Sequence, residues 1–160
     1  MIFDINTAIG HWPFRRLSDN DAPSLRRLLE SSGIGMAAVA HTHGVFYMNT
    51  QDANLELAEA IAPHRDFFVG VATLNPTYAA WKKDLEYCVE TLGFKALRLL
   101  PQYHNYQLGA PEAVAMVTAA AELNIPIMVP QMLIDRRQKH WMDLETWVDV
   151  TELGRLCLKV

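Results

Sequence analysis

The chain has 160 residues, of which 51% are hydrophobic and 20% charged, and its formal net charge is −4. This composition predicts a globular domain and excludes a disordered chain. The acidic balance, with no run of more than two Lys or Arg, argues against nucleic-acid or anionic-membrane partners. No apolar stretch reaches the ~18 residues of a membrane span, and the N-terminus lacks the features of a signal peptide. Two widely spaced cysteines, Cys88 and Cys157, indicate neither a disulfide framework nor a zinc site. We therefore expect one cytoplasmic domain over residues 1–160.

Short apolar runs alternate with stretches of helical periodicity along the whole chain. The predicted strands are residues 1–6, 35–40, 67–74, 94–100 and 125–129. The predicted helices are 24–32 (opened by Asp21 and Pro23), 50–62 (capped at Thr50), 81–92, 111–123 and 144–151. Residues 156–160 are predicted to begin a sixth strand. The pattern therefore contains five strand–helix units and the start of another.

The predicted strands are continuous apolar runs rather than alternating ones. Such strands are covered on both faces, which indicates a parallel sheet with helical crossovers, an α/β fold. Five units fit either an open doubly wound sheet or a partial (β/α)₈ barrel. The phosphate-binding motifs G-x-G-x-x-G and G-x-x-x-x-G-K-[ST] do not occur. We predict strands in sequential spatial order, curved like a barrel segment, with right-handed crossovers.

Polar side chains that could perform chemistry follow the predicted strands, where parallel α/β proteins place their sites. They are Asp4, Asn6, His11, Arg15 and Arg16; His41 and His43; Asn75; Arg98, Gln102, Tyr103 and His104; and Gln131, Asp135, Arg136, Arg137 and His140. Histidines at strand ends are candidates for metal ligands or acid–base groups.

Three stretches of the chain resemble the amidohydrolase superfamily. They are the opening Ile-Phe-Asp-Ile-Asn-Thr-Ala-Ile-Gly, the run Gly-Phe-Lys-Ala-Leu-Arg-Leu-Leu-Pro-Gln-Tyr-His-Asn-Tyr at 93–106, and Leu-Asn-Ile-Pro-Ile-Met-Val-Pro-Gln at 123–131. The resemblance implies a TIM barrel of the metal-dependent hydrolase and decarboxylase branch, of which the chain would cover about the first five-eighths. It also implies a small carboxylated or cyclic substrate.

The chain departs from the superfamily at the metal ligands that the resemblance implies. The family places two histidines on the first strand, where this chain has Asn6 and Ala8, and a histidine or carbamylated lysine near Gln131. Carboxamides and alanine are poor zinc ligands, and the remaining family ligands would lie beyond residue 160. We therefore expect no metal at Asn6 and Ala8 and no cofactor in this chain. Zinc is the family-based alternative, with His41 and His43, two residues apart, as the replacement pair.

The strand-end residues have expected roles if the chain performs catalysis. Catalysis would rest on His104 as acid or base and on Arg98 as anchor for an anionic group, with Asp4 as the nearby carboxylate. Because an unpaired charge in an apolar strand is costly, Arg98 must bind a substrate carboxylate or a protein carboxylate such as Asp4. The residues expected to bind substrate are Asn6, Gln131, Tyr103 and Arg136.

Each of these side chains also has a structural interpretation. His104 could order its own loop, and His41 and His43 could cap one. Arg136 lies in a charge cluster typical of a solvated turn. The stretch 11–16 could form a lid or simply pack Trp12 and Phe14 on the rim.

Three functional hypotheses remain open on the sequence. The chain is an amidohydrolase-like enzyme, a barrel relative that binds a ligand without metal or chemistry, or a fragment that needs a partner chain. A partial barrel exposes edge strands and inner apolar side chains, so we expect a homo-oligomer.

Overall fold

The sheet of the computed structural model, which describes residues 1–138 and 140–159, has five parallel strands in the order β1-β2-β3-β4-β5. The strands are β1 (Ile2–Ile9), β2 (Ile34–His41), β3 (Phe68–Thr73), β4 (Ala96–Arg98) and β5 (Ile127–Met128). The order never reverses, as it would in a doubly wound sheet. The predicted partial (β/α) barrel is confirmed.

Helices connect the strands and cover one face of the sheet. They are α1 (Ala22–Ser31), α2 (Thr50–Ile61), α3 (Trp81–Glu90), α4 (Pro101–His104), α5 (Pro111–Glu122) and α6 (Val150–Cys157). Short 3₁₀ turns occur at Thr42–Val45, Ala62–His64 and Arg136–Gln138. Within the part of the chain that the structure describes, none of these helices has the length and apolarity needed to cross a bilayer.

The sheet is apolar on both faces, which explains the continuous hydrophobic runs. The outer face packs on the helices in a large core that includes Leu57, Leu97 and Met116. The inner face carries a second, smaller cluster of Ala38, Ala40, Val71 and Ala96, with Met128 packed against it. Because side chains alternate along a strand, a residue two positions from one of these inner residues on the same strand also faces inward.

Helix α1 (Ala22–Ser31) begins two residues before the predicted 24–32 and ends one residue earlier, and Asp21 opens it as predicted. The Asp21 side chain accepts a hydrogen bond of 2.8 Å from the Ser24 backbone N–H, and Pro23 lies in the first turn. Helix α2 begins at Thr50 as predicted, but its N-cap is Asn49, whose side chain accepts from the Gln51 N–H. The prediction of Thr50 as the cap is therefore wrong by one residue.

Strands β4 and β5 are shorter than predicted. The predicted strand 94–100 is paired only at Ala96–Arg98, and 125–129 only at Ile127–Met128. Pro101 begins the short helix α4, so the loop after the fourth strand is a helical turn that ends at Asn105 with a φ of 54°. Proline in the first helical turn costs no hydrogen bond, which favours this early start.

The last predicted elements are wrong. Residues 144–149 are irregular instead of helical, and the predicted sixth strand begins inside α6, which extends to Cys157 and is followed by a turn at 158–159. The Asp149 side chain accepts a 2.8 Å hydrogen bond from the Thr151 N–H and starts the helix there. The apolar residues Leu153 and Leu156 then pack on the outer core, as helical spacing allows. Val160 lies outside the described residues.

Candidate functional site

Arg98 is a buried cation on the inner face of the sheet. It follows Ala96 by two residues on β4 and is only 7% exposed. Its Nη2 donates to Asn6 Oδ1 across 2.9 Å, whereas its buried Nε has no hydrogen-bond partner within residues 1–138 and 140–159. Burial lowers the pKa of Arg98 from its ordinary value, but a guanidinium remains charged at neutral pH. In the part of the chain that the structure describes, the positive charge on the inner face is therefore met by a neutral carboxamide and not by a carboxylate.

The expected carboxylate partner for Arg98 is not Asp4. Asp4 Oδ1 instead accepts a 3.0 Å hydrogen bond from the Asn6 backbone N–H. The pairing of β1 with β2 shifts register between Asp4 and Thr7, and it is the Asn6 side chain that reaches Arg98. No ion pair involves Arg98 within residues 1–138 and 140–159.

The positions where the resembled superfamily holds a metal do not fit one here. Asn6 Oδ1 is already hydrogen-bonded to the Arg98 cation, and Ala8, next to Ala40 on the inner face, offers no ligand atom. Gln131 is exposed, and its backbone oxygen accepts from Val148 N and Gln102 Nε2. A divalent cation beside Arg98 would also meet like-charge repulsion. We therefore derive no chemistry from a metal at these positions.

His104 connects the loops that follow β4 and β2. Its Nε2 lies 2.9 Å from the carbonyl oxygen of Gly44, and its buried Nδ1 has no hydrogen-bond partner among the described residues. Because a carbonyl only accepts, the proton is on Nε2, and Nδ1 carries a lone pair. Burial lowers the pKa of His104, so the ring is neutral at pH 7. This is the state of a base, and the same bond gives the ring the loop-ordering role that the sequence also allowed.

Aromatic side chains line the rim next to His104. The Trp12 ring meets Phe46 edge-on at 5.0 Å between centroids and Tyr103 at 6.3 Å. Phe14 also contacts Phe46. Of the two interpretations of residues 11–16, packing on the rim is the one seen here. Tyr103, expected to bind substrate, is part of this aromatic wall.

The segment after β1 is held against residues 140–143. Arg15 forms an ion pair with the shielded Asp143 carboxylate, which also accepts from Trp12 Nε1 at 3.2 Å and from the His140 N–H at 2.7 Å. The Phe14 ring stacks on His140. Although burial acts to raise the pKa of Asp143, these hydrogen bonds outweigh it and lower the pKa. Asp143 fixes the position of the aromatic rim.

Arg136 lies outside this arrangement. It is exposed on the 3₁₀ turn Arg136–Gln138, with its guanidinium 5.9 Å from the centre of the Trp147 ring. Its neighbours Asp135 and Arg137 pair with each other on the surface. The structure thus places Arg136 in the solvated turn that the sequence also allowed, and substrate binding by Arg136 and Gln131 stays a prediction.

His41 and His43 lie together with Glu56 on the outer side of the sheet. The Glu56 Oε2 atom is 2.7 Å from His43 Nδ1 and 3.5 Å from His41 Nδ1. The Tyr47 hydroxyl donates to Glu56 Oε1 across 3.1 Å. Burial, followed by the charge of His43, lowers the pKa of His41 to about 4, so this ring is neutral at pH 7. Glu56 provides a third possible metal ligand beside the two histidines, which the sequence alone did not reveal.

Two residues of these clusters escaped the sequence-based interpretation. Glu56 lies on α2 and follows His43 by 13 residues, so no short motif joins them. The one sequence signal for Glu56 is weak: it follows Asp52 by four residues, so helical spacing places both carboxylates on the same side of α2. Asp143 is 128 residues from Arg15, and no local pattern predicts that contact.

The strand order, the covered outer face and the polar strand ends together define a partial (β/α) barrel with a site at its carboxyl edge. A family model described as amidohydrolase matches residues 10–149. The chain therefore belongs to the amidohydrolase family.

Several of the solved structures with a similar fold are decarboxylases. The 5-carboxyvanillate decarboxylase of Sphingomonas paucimobilis is 15% identical, with a TM-score of 0.70 over 99% of this chain and 61% of that one. The dihydroxybenzoic acid decarboxylase of a Polaromonas species, with bound manganese and an inhibitor, is 18% identical, with a TM-score of 0.70 over 99% and 59%. The 2,6-dihydroxybenzoate decarboxylase of Rhizobium is 17% identical, with a TM-score of 0.65 over 99% and 60%. The chain thus spans about three fifths of each of these proteins.

Proposed function

We propose that this chain supplies part of the active site of a hydrolase or decarboxylase that acts on a small carboxylated substrate, with Arg98 binding the carboxylate. The observation that carries the proposal is the buried Arg98 guanidinium, which faces inward and, among the described residues, has the neutral Asn6 as its side-chain hydrogen-bond partner and no carboxylate. A guanidinium binds a carboxylate through two parallel hydrogen bonds, and its unpartnered Nε is available for one of them. The structural relatives support this substrate class, because their names include carboxyvanillate and dihydroxybenzoate.

His104 supplies the proton transfer in this proposal. Its Nδ1 lone pair accepts a proton while Nε2 remains bound to Gly44, so the ring changes charge without changing position. In hydrolysis, the proton would come from the attacking water. In decarboxylation, Nδ1 would first take a proton from water; the C–C bond then breaks, CO₂ leaves, and the electron pair left on carbon takes that proton from Nδ1, which restores the neutral imidazole. Asn6 would orient the substrate carboxylate by replacing its bond to Arg98 with a contact to substrate.

Ligand binding tests the proposal before any turnover is measured. The probes are 2,6-dihydroxybenzoate and resorcinol, which differ only by the carboxylate, titrated by calorimetry into wild type, Arg98→Lys and Arg98→Met. We expect the acid to bind and resorcinol not to bind, with binding of the acid weakened in Arg98→Lys and lost in Arg98→Met. Equal affinity for both probes, or unchanged binding in a folded Arg98→Met variant, would refute the assignment. Circular dichroism establishes that each variant is folded.

We further propose that the chain acts in the cytoplasm as a homo-oligomer. Cys88 and Cys157 are both free thiols, which supports a reducing compartment. The edge strand β1 exposes apolar side chains, with Ile2 59% and Ile5 63% exposed. An exposed apolar edge is a template for pairing with another chain, which supports self-association.

A further inference from the structure

The cluster of His41, His43 and Glu56 lies outside the inner-face site. His41 follows Ala40 on β2, and since Ala40 faces inward, His41 projects to the outer side. Its partner Glu56 is on α2, which covers that side. One ligand atom from each of the three residues lies within 4.8 Å of the other two. The proposed function leaves this cluster without a role.

The hydrogen bonds within the cluster leave two acceptors facing each other. His41 Nδ1 accepts the His43 backbone N–H across 3.3 Å, so it carries no proton. The same nitrogen lies 3.5 Å from the Glu56 Oε2 atom, which is also an acceptor. Two lone pairs at this separation repel each other unless a cation lies between them.

We propose that His41, His43 and Glu56 bind a divalent transition metal of the zinc class. Two imidazoles and one carboxylate are an established ligand set for catalytic zinc, in which a fourth position remains open to water or a ligand. The three side chains come from three adjacent elements of secondary structure: the end of β2, the 3₁₀ turn Thr42–Val45 and α2. Glu56 Oε2 already lies 2.7 Å from His43 Nδ1 and 3.5 Å from His41 Nδ1, so small side-chain movements would admit the ion.

The surroundings provide an outer shell and an entry path. Tyr47 donates to Glu56 Oε1, the oxygen left free when Oε2 binds the metal, and such bonds orient metal ligands. A cavity of about 480 Å³ opens beside the cluster and is lined by His41, His43 and Glu56, with His11 on its wall. Gly10, at a φ of 100°, allows β1 to pass against the His41 ring, where a Cβ would come within 2.8 Å of Cε1.

Metal bound here would also act on the inner-face site. Gly44, which holds His104 through its carbonyl oxygen, is the residue next to His43. A metal that fixes His43 therefore fixes the turn that positions the His104 imidazole. We expect the metal to stabilise the chain and to order this turn.

The test is uptake of Zn²⁺ and Co²⁺ by the untagged chain. Wild type, Glu56→Gln, His43→Ala and the control His64→Ala, whose histidine precedes β3, are loaded with metal, desalted and measured by elemental analysis. Co²⁺ provides a visible spectrum that reports four-coordinate nitrogen and oxygen ligation. We expect one metal per chain in wild type and His64→Ala, with at least tenfold weaker binding in the other two variants. We also expect Zn²⁺ to raise the melting temperature of wild type but not of Glu56→Gln.

Three results would overturn the proposed metal site. Absence of bound metal in wild type overturns the proposal, and so does stoichiometric metal retained by folded Glu56→Gln and His43→Ala. Loss of metal from His64→Ala places the ion elsewhere and has the same consequence. None of these measurements depends on Arg98 or on a carboxylated ligand, so the inner-face function and the metal site fail separately.

Discussion

His104 Nε2 donates to the carbonyl oxygen of Gly44 across 2.9 Å, between loops 60 residues apart in the chain. The bond sets the tautomer of the ring and leaves the buried Nδ1 without a partner. Protonation of a histidine in this setting is unfavourable, because burial penalises the charged imidazolium. Both its chemistry and its effect on stability follow from this one contact.

His104 makes stability depend on pH in a defined direction. Its pKa in the folded chain is lower than the ordinary value of 6.5, so below that pH the unfolded chain binds a proton that the folded chain does not. Stability therefore falls as the pH drops below 6.5. We expect the decrease in melting temperature between pH 7 and pH 5 to be smaller in His104→Gln, whose amide can still donate to Gly44. Parallel curves for the two proteins would show that His104 does not titrate in this way.

Asn6 controls the charge balance at Arg98. In Asn6→Asp, a carboxylate replaces the carboxamide that now accepts from Arg98 across 2.9 Å. We expect the free energy of unfolding in urea to rise by about 1 kcal/mol, because a bond to a charged acceptor is stronger. The same variant should no longer bind 2,6-dihydroxybenzoate, since the new carboxylate occupies Arg98. Asn6→Ala is the matched control and should lower stability. A more stable Asn6→Asp that still binds the acid would contradict the site.

The two thiols should differ in reactivity. Burial raises the pKa of Cys88 to about 12, and its Sγ is hydrogen-bonded to Gln51, whereas Cys157 is exposed on α6. Since the thiolate is the nucleophile, iodoacetamide at pH 8 should label one site per native chain and two per denatured chain. Mass spectrometry counts the labels. Cys157→Ser should then take up none when native, and a labelled native Cys157→Ser would show that Cys88 is accessible.

The Arg15–Asp143 ion pair should contribute to stability. Asp143 is shielded from solvent, so its replacement by Asn leaves Arg15 without its charge partner. We expect Asp143→Asn to cost about 2 kcal/mol in urea unfolding. A double-mutant cycle with Arg15→Met isolates the pair itself, and we expect a coupling energy of about 1 kcal/mol or more. Additive single effects would show that the pair contributes nothing.

Self-association should depend on β1. We expect light scattering to report a mass above the 18.1 kDa of one chain. Lysine on an edge strand prevents pairing, so the double variant Ile2→Lys/Ile5→Lys should shift the mass toward the monomer. Leu28→Lys, on the exposed side of α1, is the control and should have no effect. A monodisperse wild-type monomer at micromolar concentration would refute the oligomer.

The sequence predicts the sheet well because its signals are local. Continuous apolar runs and caps such as Asp21 depend on neighbouring residues alone, and the strand order follows from chain connectivity. The errors come where a distant contact decides the structure. Residues 144–149 have helical spacing, yet Val148 N is held by the Gln131 carbonyl oxygen and stays irregular. Propensity yields to tertiary hydrogen bonds there.

The sequence points to the residues of the candidate site, but it does not show which side chains contact each other. Arg98 and His104 follow from their place at a strand end, and both are buried. Their partners, Asn6 and Gly44, depend on side-chain reach and on a register shift that no periodicity encodes. Glu56 was missed for the same reason, since its contact with His43 joins a helix to a loop.

The bond between Arg15 and Asp143 also has a consequence for protein synthesis. Each strand pairs with the one made just before it, so the sheet can grow while the chain leaves the ribosome. The segment after β1 must wait for a partner made 128 residues later. During translation Trp12 and Phe14 can pack against Phe46 soon after it is made, but Arg15 has no charge partner until residue 143 has emerged, so the segment is fully fixed only then.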